Sequence, residues 1–193
     1  MNLSKFTYAY NRHGLIGFLN VLFGKMGIRY RLENQLTRLI SFHYKQIAKL
    51  SKKTILGGVY KGTKLRINEQ WSRLDGASKY LGLYEHEVQE EISIIQNNHK
   101  KKKKYFVNIG AGDGFHALGL LRNKFFNNAI LFEKSHLASD LILLNAKLNN
   151  LTKNITLFNE AKENFLSWFG KKFELNKCFF LIYIEGDEFK LLT

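Results

Sequence analysis

From Tyr105 onward, short apolar runs alternate with longer stretches in which apolar residues return every three or four positions. The runs are Tyr105–Ile109, Asn128–Phe132, Ile155–Phe158 and Phe179–Ile184. Each is too short for a helix and nearly continuous in apolar character, which predicts strands. The stretches between them predict helices from about Phe115 to Lys124, from Ser135 to Leu148 and around Glu163–Phe169. In the second of these, Leu137, Leu141, Leu144 and Leu148 fall three or four apart and are expected to face a sheet. Strands alternating with helices predict an α/β parallel sheet joined by right-handed crossovers.

The front of the chain follows a different pattern. Met1–Lys53 reads as amphipathic helices, with Leu32, Leu36, Leu39, Ile40, Tyr44 and Ile47 at helical spacing and Arg38, Lys45 and Lys49 on other faces. Gly14–Gly24 is apolar but only about half the ~20 residues of a membrane span. Lys25–Arg31 behind it offers no signal-cleavage site. Gly57-Gly58 marks a break, and Lys61-Gly62-Thr63 between short β-type runs predicts a hairpin over Val59–Ile67. Ser78–Gln96 reads as one helix with Val88, Ile92 and Ile95 on a face, and Lys100–Lys104 as a solvated connector. Three regions result: residues 1–56, 57–104 and 105–193.

Charge separates these regions further. Of the net +14, residues 1–104 carry +13, with 20 Lys/Arg against 7 Asp/Glu. Residues 105–193 are near neutral, with 10 against 9. Basic amphipathic helices suit either packing on the domain or a second subunit, or peripheral contact of residues 1–53 with an anionic membrane. The lysine run lacks interleaved aromatics, so nucleic acid is not favoured as a partner. Cys178 is the one cysteine, so no intrachain disulfide forms, and inside an apolar strand it reads as a buried thiol. The six histidines are scattered without metal-ligand spacing. A reducing, cytoplasmic location is the default, peripheral at the inner membrane surface if the front binds lipid.

The candidate chemistry lies where the first strand ends. Gly110, Gly112 and Gly114 occupy alternate positions in the turn leading to the next helix. Glycines there let a ligand lie against the main chain. The second strand ends in Glu133, about twenty residues past the loop, where an acid can accept hydrogen bonds from both ribose hydroxyls of an adenosine cofactor. The dinucleotide spacing G-x-G-x-x-G fails from Gly110, since Phe115 stands at its third glycine. From Gly112 it reaches Ala117, which the looser pattern tolerates, so NAD stays open.

The Gly-x-Gly-x-Gly spacing resembles the first motif of class I S-adenosylmethionine (SAM) methyltransferases. Cys178–Leu192 resembles the D-[IV]-E-G-x-E-x-x-L segment of the FkbM-type family within that class, and Tyr80–Val88 resembles its upstream G-x-Y-E-x-E segment. Ser135–Asn150 is similar to its leucine- and asparagine-marked second helix, so the resemblance spans Val59–Leu192. It implies a Rossmann-like class I methyltransferase sheet and SAM as cofactor, held by Asn108, Gly110, Ala111, Gly112, Gly114, Glu133 and Glu160. It also implies Tyr84, Glu85 and Glu87 on the substrate side, Glu185 as the group orienting or deprotonating a substrate hydroxyl, and Glu188 in register beyond it. His116 beside the loop is a second candidate base; its other reading is an exposed helix histidine. Two positions depart from the family: Asn108 stands where many members carry Asp, and Tyr183 replaces the aspartate of D-x-E-G. The alternation also stops after four strands where the full fold has seven, which reads as C-terminal truncation and leaves the fourth strand an apolar edge.

The expected function is therefore O-methylation of a hydroxyl, on a sugar or a secondary metabolite by family habit. Two other readings stand beside it. Tyr183 and Asn108 suit a catalytically inactive, truncated SAM-binding module, and the basic front suits a membrane or nucleic-acid surface-binding protein.

Overall fold

The structure, a computed structural model, describes residues 28–67, 75–98, 103–162, 164–184, 186 and 191, with side chains from Thr37 onward. The chain divides into two compact units, Met1–Lys45 and Gln46–Thr193. Helix α1, Ile28–Leu50, carries the chain from the first into the second. Over its described side chains, Tyr44 and Ala48 are buried while Leu39 and Phe42 are more than half exposed. The expected helix around Gly14–Gly24 lies outside the described residues. Among the described residues no helix is long and apolar enough to cross a membrane.

The second unit holds the sheet. Strands β1 (Tyr105–Ile109), β2 (Asn128–Phe132), β3 (Ile155–Phe158) and β4 (Cys178–Ile182) are all parallel, in the order β3-β2-β1-β4. This four-stranded α/β sheet is compatible with a Rossmann-like fold. β1 and β2 are buried on both faces, as their unbroken apolar runs require. On one face Val107, Ile109, Ile130 and Phe132 form a core with Phe165 and Phe169 of helix α6 (Phe165–Gly170). α4 (Phe115–Arg122) and α5 (His136–Leu148) follow β1 and β2. Among the described residues β4 pairs only with β1.

Three expectations are corrected. The row Leu137, Leu141, Leu144 and Leu148 does not face the sheet: Leu137 and Leu144 are 61% and 37% exposed, and α5 buries Ala138, Ile142, Asn145 and Ala146 instead. Small residues let the helix lie close, and Asn145 and Asn149 bond both the N–H and the C=O of Arg66 and Lys64 at 2.7–2.9 Å. A backbone segment that enters no sheet gets its hydrogen bonds from two amides one helical turn apart. Leucine spacing revealed the period of this helix and misled about its phase.

The hairpin over Val59–Ile67 is absent. Thr54 bridges Lys64 in a single antiparallel pair, with Ile55 N–H donating to Thr63 O and Leu65 N–H to Lys53 O. Tyr60 turns inward instead, fully buried against Gly119 of α4, and so leaves the would-be first arm. The helix expected over Ser78–Gln96 is two: α2 (Gly76–Leu81) and α3 (His86–Asn98). Gly82 at φ 81° ends α2, its N–H reaching Lys79 O and the Leu83 N–H reaching Ser78 O. A Cβ on Gly82 would stand 2.2 Å from Gly57 O, so the two backbones touch there and only glycine fits.

Candidate cofactor site

The sheet order creates a crevice. From β1 the chain steps outward to β2 and β3, then returns to place β4 on the other side of β1. Connections leaving β1 in opposite directions open a gap at the carboxyl ends of the strands, where α/β sheets hold ligands. A cavity of about 920 Å³ lies there. Ile109 and Gly110 line it from β1, Phe132 and Glu133 from β2, Glu160 and Ala161 from β3, and Tyr183 and Ile184 from β4.

The glycine loop has the geometry its spacing predicts. Gly110, Gly112 and Gly114 have φ of 78°, 59° and 81°, all left-handed. Gly110 and Ala111 both donate N–H to Phe132 O, which seats the loop on the end of β2. A Cβ on Gly110 would lie 2.1 Å from Tyr183 O, because Tyr183 N–H bonds Ile109 O and draws β4 onto the loop. Around Gly112 there is no atom within 4 Å of the Cβ position. The main chain is bare where it lines the cavity.

Glu133 lines the cavity beside the loop. Its Oε2 accepts from Gly112 N–H at 2.7 Å and its Oε1 from Ser135 N–H at 2.8 Å. A carboxylate has about four lone-pair sites, so two bonds to the backbone orient it and leave room for two further donors. Glu160 lines the cavity and pairs with Lys134 at 3.1 Å, both well exposed, a contact that contributes little on its own. Ala111 is buried in the loop. Asn108 is placed elsewhere: it is buried, and its side-chain amide donates across the ladder to Leu181 O at 3.3 Å.

The remaining candidates gather behind the loop. His116, in the first turn of α4, is 12% exposed, which rules out the exposed-histidine reading. Its Nε2 meets Glu85 Oε2 at 2.8 Å and its Nδ1 meets the Tyr60 hydroxyl at 3.0 Å. Both ring nitrogens of His116 are thus engaged, one by a carboxylate and one by a hydroxyl. His116 and the Tyr84 hydroxyl, both hydrogen-bonded to Glu85, hold its carboxyl below the usual range despite partial burial. Burial, then the neighbouring Glu85, pushes the Tyr84 hydroxyl well above the normal tyrosine range. Burial does the same to Tyr60. Glu87 is exposed and pairs with His86, apart from this group.

Sequence reasoning missed three members of this cluster: Tyr60, Lys79 and Asp113. Lys79 Nζ bonds Asp113 Oδ2 at 2.8 Å, with both side chains buried. Their signal was present, a lone acid inside the glycine triplet, yet its partner lies 34 residues away in another helix. Glu185 and Glu188 lie outside the described residues. Cys178 is buried with its thiol against Glu174 O, and burial raises its pKa. Among the described residues there is no group of acids, histidines and cysteine able to hold a metal.

Comparison with protein-family models and with curated proteins gave no match. The functional reading therefore rests on the geometry and on the three sequence segments.

Proposed function

We propose that this chain is a SAM-dependent O-methyltransferase of FkbM type. The observation that carries the reading is Glu133. It is an acid at the end of the strand beside the glycine loop, oriented by two backbone N–H groups, at the rim of the switch-point cavity. The residues fit a nucleoside cofactor: bare main chain at Gly112 gives close approach, and Glu133 keeps acceptor capacity for a pair of ribose hydroxyls. The segments Tyr80–Val88, Gly110–Gly114 and Cys178–Leu192 favour SAM over NAD.

SAM supplies a methyl group already activated on a positively charged sulfur. The protein's own task is then to hold two reactants in line and take a proton from the acceptor hydroxyl. Gly110, Gly112, Glu133 and Glu160, which line the cavity, are assigned to cofactor binding, with Ala111 and Gly114 shaping the loop behind them. Glu185 remains, by resemblance, the candidate for orienting or deprotonating the substrate hydroxyl. Both ring nitrogens of His116 are engaged, which favours a supporting role for it over that of a base. One observation favours a second reading, a SAM-binding module without turnover. Tyr183, 60% exposed at the cavity where the family has an aspartate, presents an aromatic face and no carboxylate.

Calorimetric titration with S-adenosylhomocysteine tests the cofactor assignment. Saturable binding is expected, lost or at least tenfold weaker in Glu133→Ala, since hydrogen bonds to a charged group contribute about 1.5–3 kcal/mol each. NAD should not compete. A folded chain that binds no S-adenosylhomocysteine would sink the proposal. Binding without methyl transfer to any hydroxyl acceptor would leave the inactive module.

A further inference from the structure

The glycine loop is held from behind by a charge pair that the cofactor reading does not use. Asp113 sits between Gly112 and Gly114, its side chain 3% exposed, and both carboxylate oxygens and its carbonyl are engaged. Oδ2 meets Lys79 Nζ at 2.8 Å, Oδ1 accepts from Phe115 N–H at 3.2 Å, and its carbonyl accepts from the Asn145 amide at 3.0 Å. Lys79 is 8% exposed and lies 4.9 Å from the Tyr84 ring centroid and 5.6 Å from that of Phe115. It projects from α2, whose end is fixed by the contact of Gly82 with Gly57.

A buried ion pair is a poor stabiliser compared with apolar side chains of the same volume. What it does supply is one directional geometry, and here that geometry falls on the residue between two left-handed glycines. Glycines at 59° and 81° have many other conformations open to them. Something outside the loop has to select this one, in which the Gly112 N–H points at Glu133. Asn145 holds the loop carbonyl, and Lys79 holds the side chain.

We propose that Lys79 is a positioning residue for the candidate cofactor site: by gripping Asp113 it fixes the glycine loop in the form that orients Glu133. The inference rests on the proposed cofactor reading for its functional meaning, while its effect on the loop can be read without any ligand.

The test compares the wild type with Lys79→Met and with the double variant Lys79→Met/Asp113→Asn, which leaves no orphaned buried charge if the single variant fails to fold. Ile92→Ala, a buried core change on α3 away from the loop, controls for general destabilisation. Amide exchange of Gly112 and Phe115, measured without ligand, should speed up about tenfold or more in the Lys79 variants beyond the change in the control. S-adenosylhomocysteine binding should weaken by about tenfold or more, the loss typical when a side chain supporting a ligand site is removed. Exchange and affinity that merely follow global stability, as in Ile92→Ala, would overturn the proposal. Exchange that responds as expected in a wild-type chain that binds no S-adenosylhomocysteine would overturn the cofactor reading and leave Lys79 as a loop brace only.

Discussion

The two sides of the glycine loop use the same kinds of residue in opposite ways. On the cavity side, Glu133 and Glu160 stand at an open rim, and Gly112 leaves the main chain uncovered. On the rear side, Lys79 is paired with Asp113, and His116 links Glu85 to Tyr60. Acids only a few residues from a cofactor motif thus divide into those whose spare acceptor capacity faces the cavity and those turned toward partners within the fold. Polarity near a motif is weak evidence of a ligand contact; unfilled hydrogen-bonding capacity facing a cavity is stronger.

That contrast can be broken most sharply on the rear side. Lys79→Ala leaves Asp113 charged, buried and unpaired, and chemical denaturation should show a loss of about 3–5 kcal/mol. A loss under 1 kcal/mol would mean the pair is already wet. Next comes Gly110→Ala, where the new Cβ meets Tyr183 O at 2.1 Å in a left-handed conformation. It should cost more than about 2 kcal/mol by denaturation, since strain and a backbone clash add. Gly112→Ala, with open space around it, should cost only the left-handed strain of about 1 kcal/mol. The same variant should nevertheless lose S-adenosylhomocysteine binding by calorimetry. Equal effects of the two alanines on stability would erase the distinction between the packed and the open glycine of the loop.

The smallest effect concerns Glu85. Its folded pKa lies below the ordinary 4.5, so its bonds to His116 and Tyr84 stabilise the fold above that pH. The contribution is lost as pH falls from 4.5 through the lowered folded value. Glu85→Gln should therefore lower Tm by a few degrees at pH 7, with the gap to wild type narrowing below pH 4.5. A gap that stays constant with pH would show that the carboxylate's charge does not matter there.

The strands were legible because their signal is local: Tyr105–Ile109, Asn128–Phe132 and Ile155–Phe158 form where the apolar runs predict. The loop and Glu133 were legible for a related reason, since a strand, a glycine turn and a strand-end acid are joined by short connections. Helix phase was not legible. Leu137–Leu148 and Ala138–Asn149 both repeat at helical spacing, and the choice between them depends on what lies against the helix. The hairpin failed similarly, because Tyr60 gains more from burial beside Gly119 and His116 than from pairing in an isolated two-stranded arm.

Period, loop chemistry and the strand-end acid thus belong to the chain as written, being set by backbone sterics and by the apolar alternation of neighbouring residues. The strand order, the cavity at the β1–β4 divide and the partnering of Lys79 with Asp113 arise only in three dimensions. They bring together residues dozens of positions apart, and the burial that decides whether a charged side chain binds a ligand or braces a loop exists only once those distant segments have met.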